Sequence, residues 1–228
     1  MDFGFITEYY PYYLEGVKYT IILAFFTIAL GIILGLALCL MKICNNKLVK
    51  GIATAYIEFI RGTPLLVQLL IIYYGLPAIG IKFDSISFLG SNFPDLIAAI
   101  ITLSLNSAAY VSEIIRAGID AVDKGQKEAA RSLGMSNSLT MRLIIMPQAL
   151  KNILPALGNE FITIIKESSI VSVIGIGELM YKADTVRGNT AQPFEPLIVV
   201  AIIYFVLTFT LSKLLGVIER RMKISDNH

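Results

Sequence analysis

From Val17 to Met41 the chain is almost continuously apolar, and it does the same four more times. A hydrocarbon core about 30 Å thick is crossed by about 20 apolar residues in a helix. Five stretches meet or approach that length: 17–41, 52–80, 93–115, 146–175 and 194–215. In lipid the backbone must satisfy its own polar groups, so such stretches fold as helices. Only 16% of the 228 residues are charged and 56% are hydrophobic, against about 25% charge in a soluble domain. The expected fold class is an all-α membrane protein of five transmembrane helices, forming one domain over residues 1–228.

Basic residues fix the expected orientation. Lys42, Lys47 and Lys50 follow the first stretch; Arg116, Lys124, Lys127, Arg131 and Arg142 separate the third from the fourth; Lys213, Arg220, Arg221 and Lys223 close the chain. The opposite side holds Lys18, Lys82, Lys182 and Arg187. Basic residues concentrate in cytoplasmic loops, which predicts an outside N-terminus and a cytoplasmic C-terminus. The tyrosines of YYPYYLE (9–15) then read as an aromatic belt at the outer interface. The N-terminus, with Asp2 and Glu8 and no basic start, does not read as a cleavable signal.

Several chemistries are excluded. The only histidine is His228, so no histidine metal site or Ser-His triad can be built. No G-x-x-x-x-G-K-[ST] stretch is present to cradle nucleotide phosphates. No cofactor and no nucleic acid are expected on this chain. Cys39 and Cys44 fall near the cytoplasmic end of the first stretch, where a disulfide is not expected. GIILG (31–35) has the G-x-x-x-G spacing that lets helices approach closely.

Polar residues inside the stretches are the candidate site. In IRGTPLLVQLL (60–70), Pro64 should kink or break the helix. Arg61 there either snorkels to the cytoplasmic side or, with Gln68, edges a polar cavity. In SLNSAAYVSEIIRAG (104–118), Asn106 and Ser107 serve either helix–helix hydrogen bonding or a ligand. NEFITIIKESS (159–169) carries Glu160, Lys166 and Glu167. Ionisable groups at membrane depth cost enough to be read as functional, the alternative being a structural Lys–Glu pair. A cation and an anion together suit a zwitterion.

The polar segment EAARSLGMSNSLTMRLIIMPQAL (128–150) lies between the third and fourth stretches. Gly134 can end a short helix in a left-handed cap, and Ser136 or Asn137 can start the next. By physics alone, Ala129 and Ala130 suit either a groove on another protein or the membrane surface.

That segment resembles the cytoplasmic EAA loop of bacterial ABC importer permeases: EAA, three residues, G, nine residues, I, any residue, LP. Here the pattern is Glu128-Ala129-Ala130, Gly134, Ile144 and Met146-Pro147, with Met146 replacing Leu. IEFIRGTPLLVQLL (57–70), NSAAYVSEIIRAGI (106–119) and ALGNEFITIIKESSIVSVIG (156–175) resemble the polar amino acid branch, the histidine, arginine and glutamine type. The resemblance implies a type I importer permease that forms the translocation pathway but is not itself an enzyme. It implies two ABC ATPase subunits carrying the ATP and Mg²⁺, a second permease copy or a sister permease, an extracytoplasmic amino acid binding protein and a bacterial plasma-membrane location. It implies coupling through the loop at 124–145, by Glu128, Ala129, Ala130, Arg131 and Gly134. It also implies a polar amino acid pocket, for which Asn106, Ser107, Lys166 and Glu167 are the first candidates and Glu160, Arg61 and Gln68 the next. A stand-alone carrier would explain the buried charges but not the loop. A non-transporting anchor or sensor would explain the loop but not the buried charges.

Overall fold

The computed structural model describes residues 2–81 and 93–224 and, among them, is almost wholly helical. Lys82 and His228 lie outside the described residues, as does the side chain of Lys223. The elements are α1 (Ile6–Ile43), α2 (Lys47–Gly62), α3 (Leu65–Ala78), α4 (Phe93–Asp120), α5 (Lys124–Ser132), α6 (Asn137–Thr140), α7 (Met146–Glu167), α8 (Leu179–Thr190) and α9 (Glu195–Ile224). One π turn, Met141–Ile145, joins α6 to α7, and a 3₁₀ segment, Ser168–Ile174, follows α7.

Small residues at helical spacing decide how α1 packs. Its buried positions are Tyr13, Gly16, Thr20, Leu23, Ala24, Thr27, Gly31, Gly35 and Cys39, one stripe at intervals of three and four. A Cβ on Gly35 would stand 2.7 Å from the Val111 side chain and 2.9 Å from the Ala108 carbonyl. One on Gly31 would stand 2.9 Å from Ser107 Oγ. The close approach read from GIILG is therefore between α1 and α4. The opposite face of α1 leaves Leu14, Ile21, Phe25, Ile33 and Leu40 exposed, as a lipid-facing surface does.

The stretch 52–80 is not one straight span. It forms α2 and α3, bent by 109° at the break before Pro64. Helix ends leave carbonyls without partners, and here side chains take them. Thr63 Oγ1 donates to Phe59 O at 2.9 Å, and Gln68 Nε2 donates to Ile60 O at 2.8 Å. Tyr56 on α2 donates to Leu105 O on α4, at 2.9 Å, which fixes the bent pair against α4.

Among the described residues three helices, over Ile6–Ile43, Pro94–Asp120 and Glu195–Arg221, are each long and apolar enough to cross a membrane, and the bent pair counts as a fourth if taken as one span. The fourth expected stretch, 146–175, holds α7 followed by the 3₁₀ segment, and its charged residues reduce its mean hydropathy. Helix α9 buries little of its surface, so it sits at the periphery. Helix α8 is short and lies outside the expected spans. It is fastened to α1 by Leu179 N–H on Thr20 Oγ1, 3.2 Å, and by close packing of Leu179 on Gly16.

Candidate functional site

Two polar regions stand out. The first lies where α3, α4 and α7 meet beside the break in the bent pair. Gln68 is 6% exposed, and its amide spans that break. Its Nε2 faces Ile60 O at 2.8 Å, Thr63 Oγ1 at 2.8 Å and Thr63 O at 3.1 Å. On its other side, Asn106 Nδ2 donates to Gln68 Oε1 at 2.9 Å. One turn face along, Ser107 Oγ donates to Glu160 Oε1 at 3.0 Å. Adjacent positions on α4 thus tie α3 to one side and α7 to the other.

The sequence candidates separate accordingly. Gln68, Asn106, Ser107 and Glu160 are joined into this cluster. Arg61 also lies beside α4. Its guanidinium sits 5.5 Å from the centre of the Tyr110 ring, a cation–π geometry that holds it beside the same face of α4. Lys166 and Glu167 are exposed and lie about 10 Å further along α7 than Glu160. Glu160 takes Ser107 as its partner rather than Lys166. Sequence reasoning passed over Tyr110 as a partner for Arg61 and Thr63 as a helix cap. Thr63 was legible as the residue before a proline, where a helix stops.

The second region is the segment after α4. Asp123 caps α5 by accepting from Gly125 N–H at 2.8 Å. Helix α5 ends with Gly134 at φ +81°, the left-handed geometry expected, and Met135 N–H returns to Ala130 O. Arg131 also reaches over to the Met135 carbonyl. Ser136 Oγ then accepts from Leu139 N–H at 3.3 Å and starts α6. Glu128, Ala129, Arg131 and Gly134 are exposed, whereas Ala130 is buried against this chain. Leu133, missed as a candidate, is 84% exposed. Its signal was an isolated leucine directly before the capping glycine.

Charges brace this second region from behind. Lys42 at the end of α1 pairs with Glu113 on α4 at 2.5 Å, and Arg116 bridges Glu113 and Asp120 at 2.9 and 2.8 Å. Far from it, at the start of α8, Glu178 is fully buried. Its carboxylate accepts from Tyr181 N–H at 2.8 Å, Met180 N–H at 2.9 Å and Tyr204 Oη at 2.8 Å. Burial pushes its carboxyl up to about 7, against the pull of those donors.

These features define a helical protein with long apolar helices, a bent helix pair and a buried polar cluster between helices. The chain belongs to the family of binding-protein-dependent transport system inner membrane components, which matches residues 27–224. It is the transmembrane subunit of an ABC transport system, a multi-pass protein of the plasma membrane whose ATPase is a separate partner. It is 44% identical to the arginine transport system permease protein of Bacillus subtilis (strain 168), over 99% of both chains. It is 40% identical to the nopaline transport system permease protein of Agrobacterium fabrum (strain C58 / ATCC 33970), over 96% of this chain and 91% of that one. Among solved structures, an amino acid ABC transporter matches at 52% identity with a TM-score of 0.89, over 97% of this chain and 99% of that one. The MetNI methionine ABC transporter shares the fold, with a TM-score of 0.75 at 19% identity.

Proposed function

We propose that this chain carries a polar amino acid into the cell. The observation that carries the reading is the hydrogen-bonded cluster Gln68–Asn106 and Ser107–Glu160, joined across three helices beside Arg61. Ionisable groups within a membrane span are costly, and by default they mark a solute pathway. Glu160 takes the ammonium or guanidinium end, Asn106 and Ser107 add hydrogen bonds, and Arg61 takes the carboxylate. Lys166 and Glu167, exposed further along α7, line the path rather than the pocket. The arginine and nopaline permeases named above support a substrate of this class.

In this reading the bilayer is crossed five times, by α1, the α2–α3 pair, α4, α7 with its 3₁₀ extension, and α9. The N-terminus lies outside and the C-terminus in the cytoplasm, supported by the distribution of lysine and arginine. The segment 124–145 docks on an ABC ATPase, with Glu128, Ala129, Arg131 and the exposed Leu133 at the contact and Ala130 and Gly134 shaping it. Two ATPase subunits, carrying the ATP and Mg²⁺, serve two permease subunits, whether two copies of this chain or this chain and a sister. A binding protein delivers the solute from outside. The chain itself needs no cofactor. Uptake assays on the reconstituted transporter test the pocket with Asn106→Ala and Glu160→Gln. Loss of uptake with the ATPase still coupled supports the assignment, and wild-type uptake in both variants refutes it.

A further inference from the structure

We infer that Gln68 is a positioning residue that dictates which end of the Asn106 amide faces the transported solute. Acceptors surround the Gln68 amide nitrogen. Its Nε2 lies within 2.8 to 3.1 Å of three oxygens: Ile60 O, Thr63 Oγ1 and Thr63 O. All three accept here: two are carbonyls, and the Thr63 hydroxyl already donates to Phe59 O. Turning the Gln68 amide over would set its own oxygen against three oxygens, so the break in the bent pair locks its orientation.

The lock is passed on. With Nε2 committed, Gln68 presents Oε1 to Asn106 at 2.9 Å. Only a donor is accepted there, so Asn106 must offer its Nδ2. Its Oδ1 is then the end of the amide that Gln68 leaves uncommitted. The neighbouring residue, Ser107, donates its hydroxyl to Glu160, which ties that carboxylate to the adjacent position on α4. With Arg61 serving the carboxylate end, the groups left for the solute's side chain are an amide oxygen and a carboxylate, both acceptors. An acceptor pair favours a solute end rich in N–H groups and bearing positive charge. This rests on the amino acid reading above and deepens it: the pocket is built for a cationic side chain, and the selectivity is set by a residue that does not touch the solute.

Equilibrium binding of labelled arginine and of citrulline, its uncharged isostere, to the purified permease–ATPase complex without binding protein tests this. Asn106→Leu should weaken arginine roughly tenfold, the loss of one hydrogen bond to a charged group, and should lower the arginine-to-citrulline ratio. Gln68→Met should do the same by freeing the Asn106 amide. The double variant should be no worse than Asn106→Leu to within about twofold, because Gln68 acts only through Asn106. The cycle repeated with Gln68→Lys, whose three ammonium protons keep Ile60 and Thr63 satisfied, decides the matter where Gln68→Met does not fold. Additive losses would mean that Gln68 touches the solute itself and would overturn the inference. So would a Gln68→Met complex that melts early yet keeps the wild-type ratio. Wild-type protein that binds neither probe would overturn the amino acid reading, and this inference with it.

Discussion

Replacing Gly31 by alanine should damage solute binding at a distance, through packing alone. The new methyl would stand 2.9 Å from Ser107 Oγ and 3.2 Å from Ser107 Cβ. Ordinary contact needs about half an ångström more at the oxygen. Helix α4 is held against α1 at Gly35 too, so the hydroxyl must give way. It now donates to Glu160 at 3.0 Å, and the same shift breaks that bond. A hydrogen bond to a charged group contributes about 1.5–3 kcal/mol, or roughly ten- to hundredfold in affinity. Labelled arginine binding to the purified complex measures the effect. Ser107→Ala should cost a similar amount, and adding Gly31→Ala to it should cost little more, since the nearest atom it strikes, Ser107 Oγ, is gone and only the 3.2 Å contact with Cβ remains. Independent, multiplying losses would refute the packing argument.

Three other outcomes follow from the structure. Gly16→Ala should lower thermal stability in detergent by about 1–3 kcal/mol, because its Cβ would meet the Leu179 backbone at 2.7 Å, where no side chain can yield. Glu178 should make stability pH-dependent. Its carboxyl is raised to about 7, so the folded state holds the proton more tightly than the unfolded state. Stability from this group is present below pH 4.5 and lost as pH rises to about 7, on the order of 3 kcal/mol in all. The melting temperature of wild type relative to Glu178→Gln should therefore rise as pH falls from 8 to 5. Gly134→Asp, at φ +81°, should abolish ATP-driven uptake while the permease still binds arginine.

Much of this architecture was legible because its signals are local. Apolar length pointed to the helices, Gly31 and Gly35 to close packing of α1 without its partner, Pro64 to the break, and Gly134 with Ser136 to the turn between α5 and α6. The size of the bend was not legible, because it depends on Thr63 and Gln68 together satisfying the carbonyls that Pro64 exposes. The candidate site divided along the same line. Asn106, Ser107, Gln68 and Glu160 were found by polarity in an apolar run, but their pairing is a property of three helices meeting. Lys166 and Glu167 carried the same signal but are exposed about two turns beyond Glu160 with, among the described residues, no hydrogen bond into the cluster, since composition places a residue on a helix without saying what faces it. Helix α8 escaped notice because it is too short and too polar to read as a span, and its anchor, Glu178, lies in a loop by sequence.

The central claim is tested most directly by uptake into proteoliposomes holding this permease and its ATPase, with the binding protein outside. Arginine or a related polar amino acid should be taken up only with ATP, and that uptake should disappear in Glu160→Gln. Uptake that proceeds without ATP or without the ATPase would contradict it.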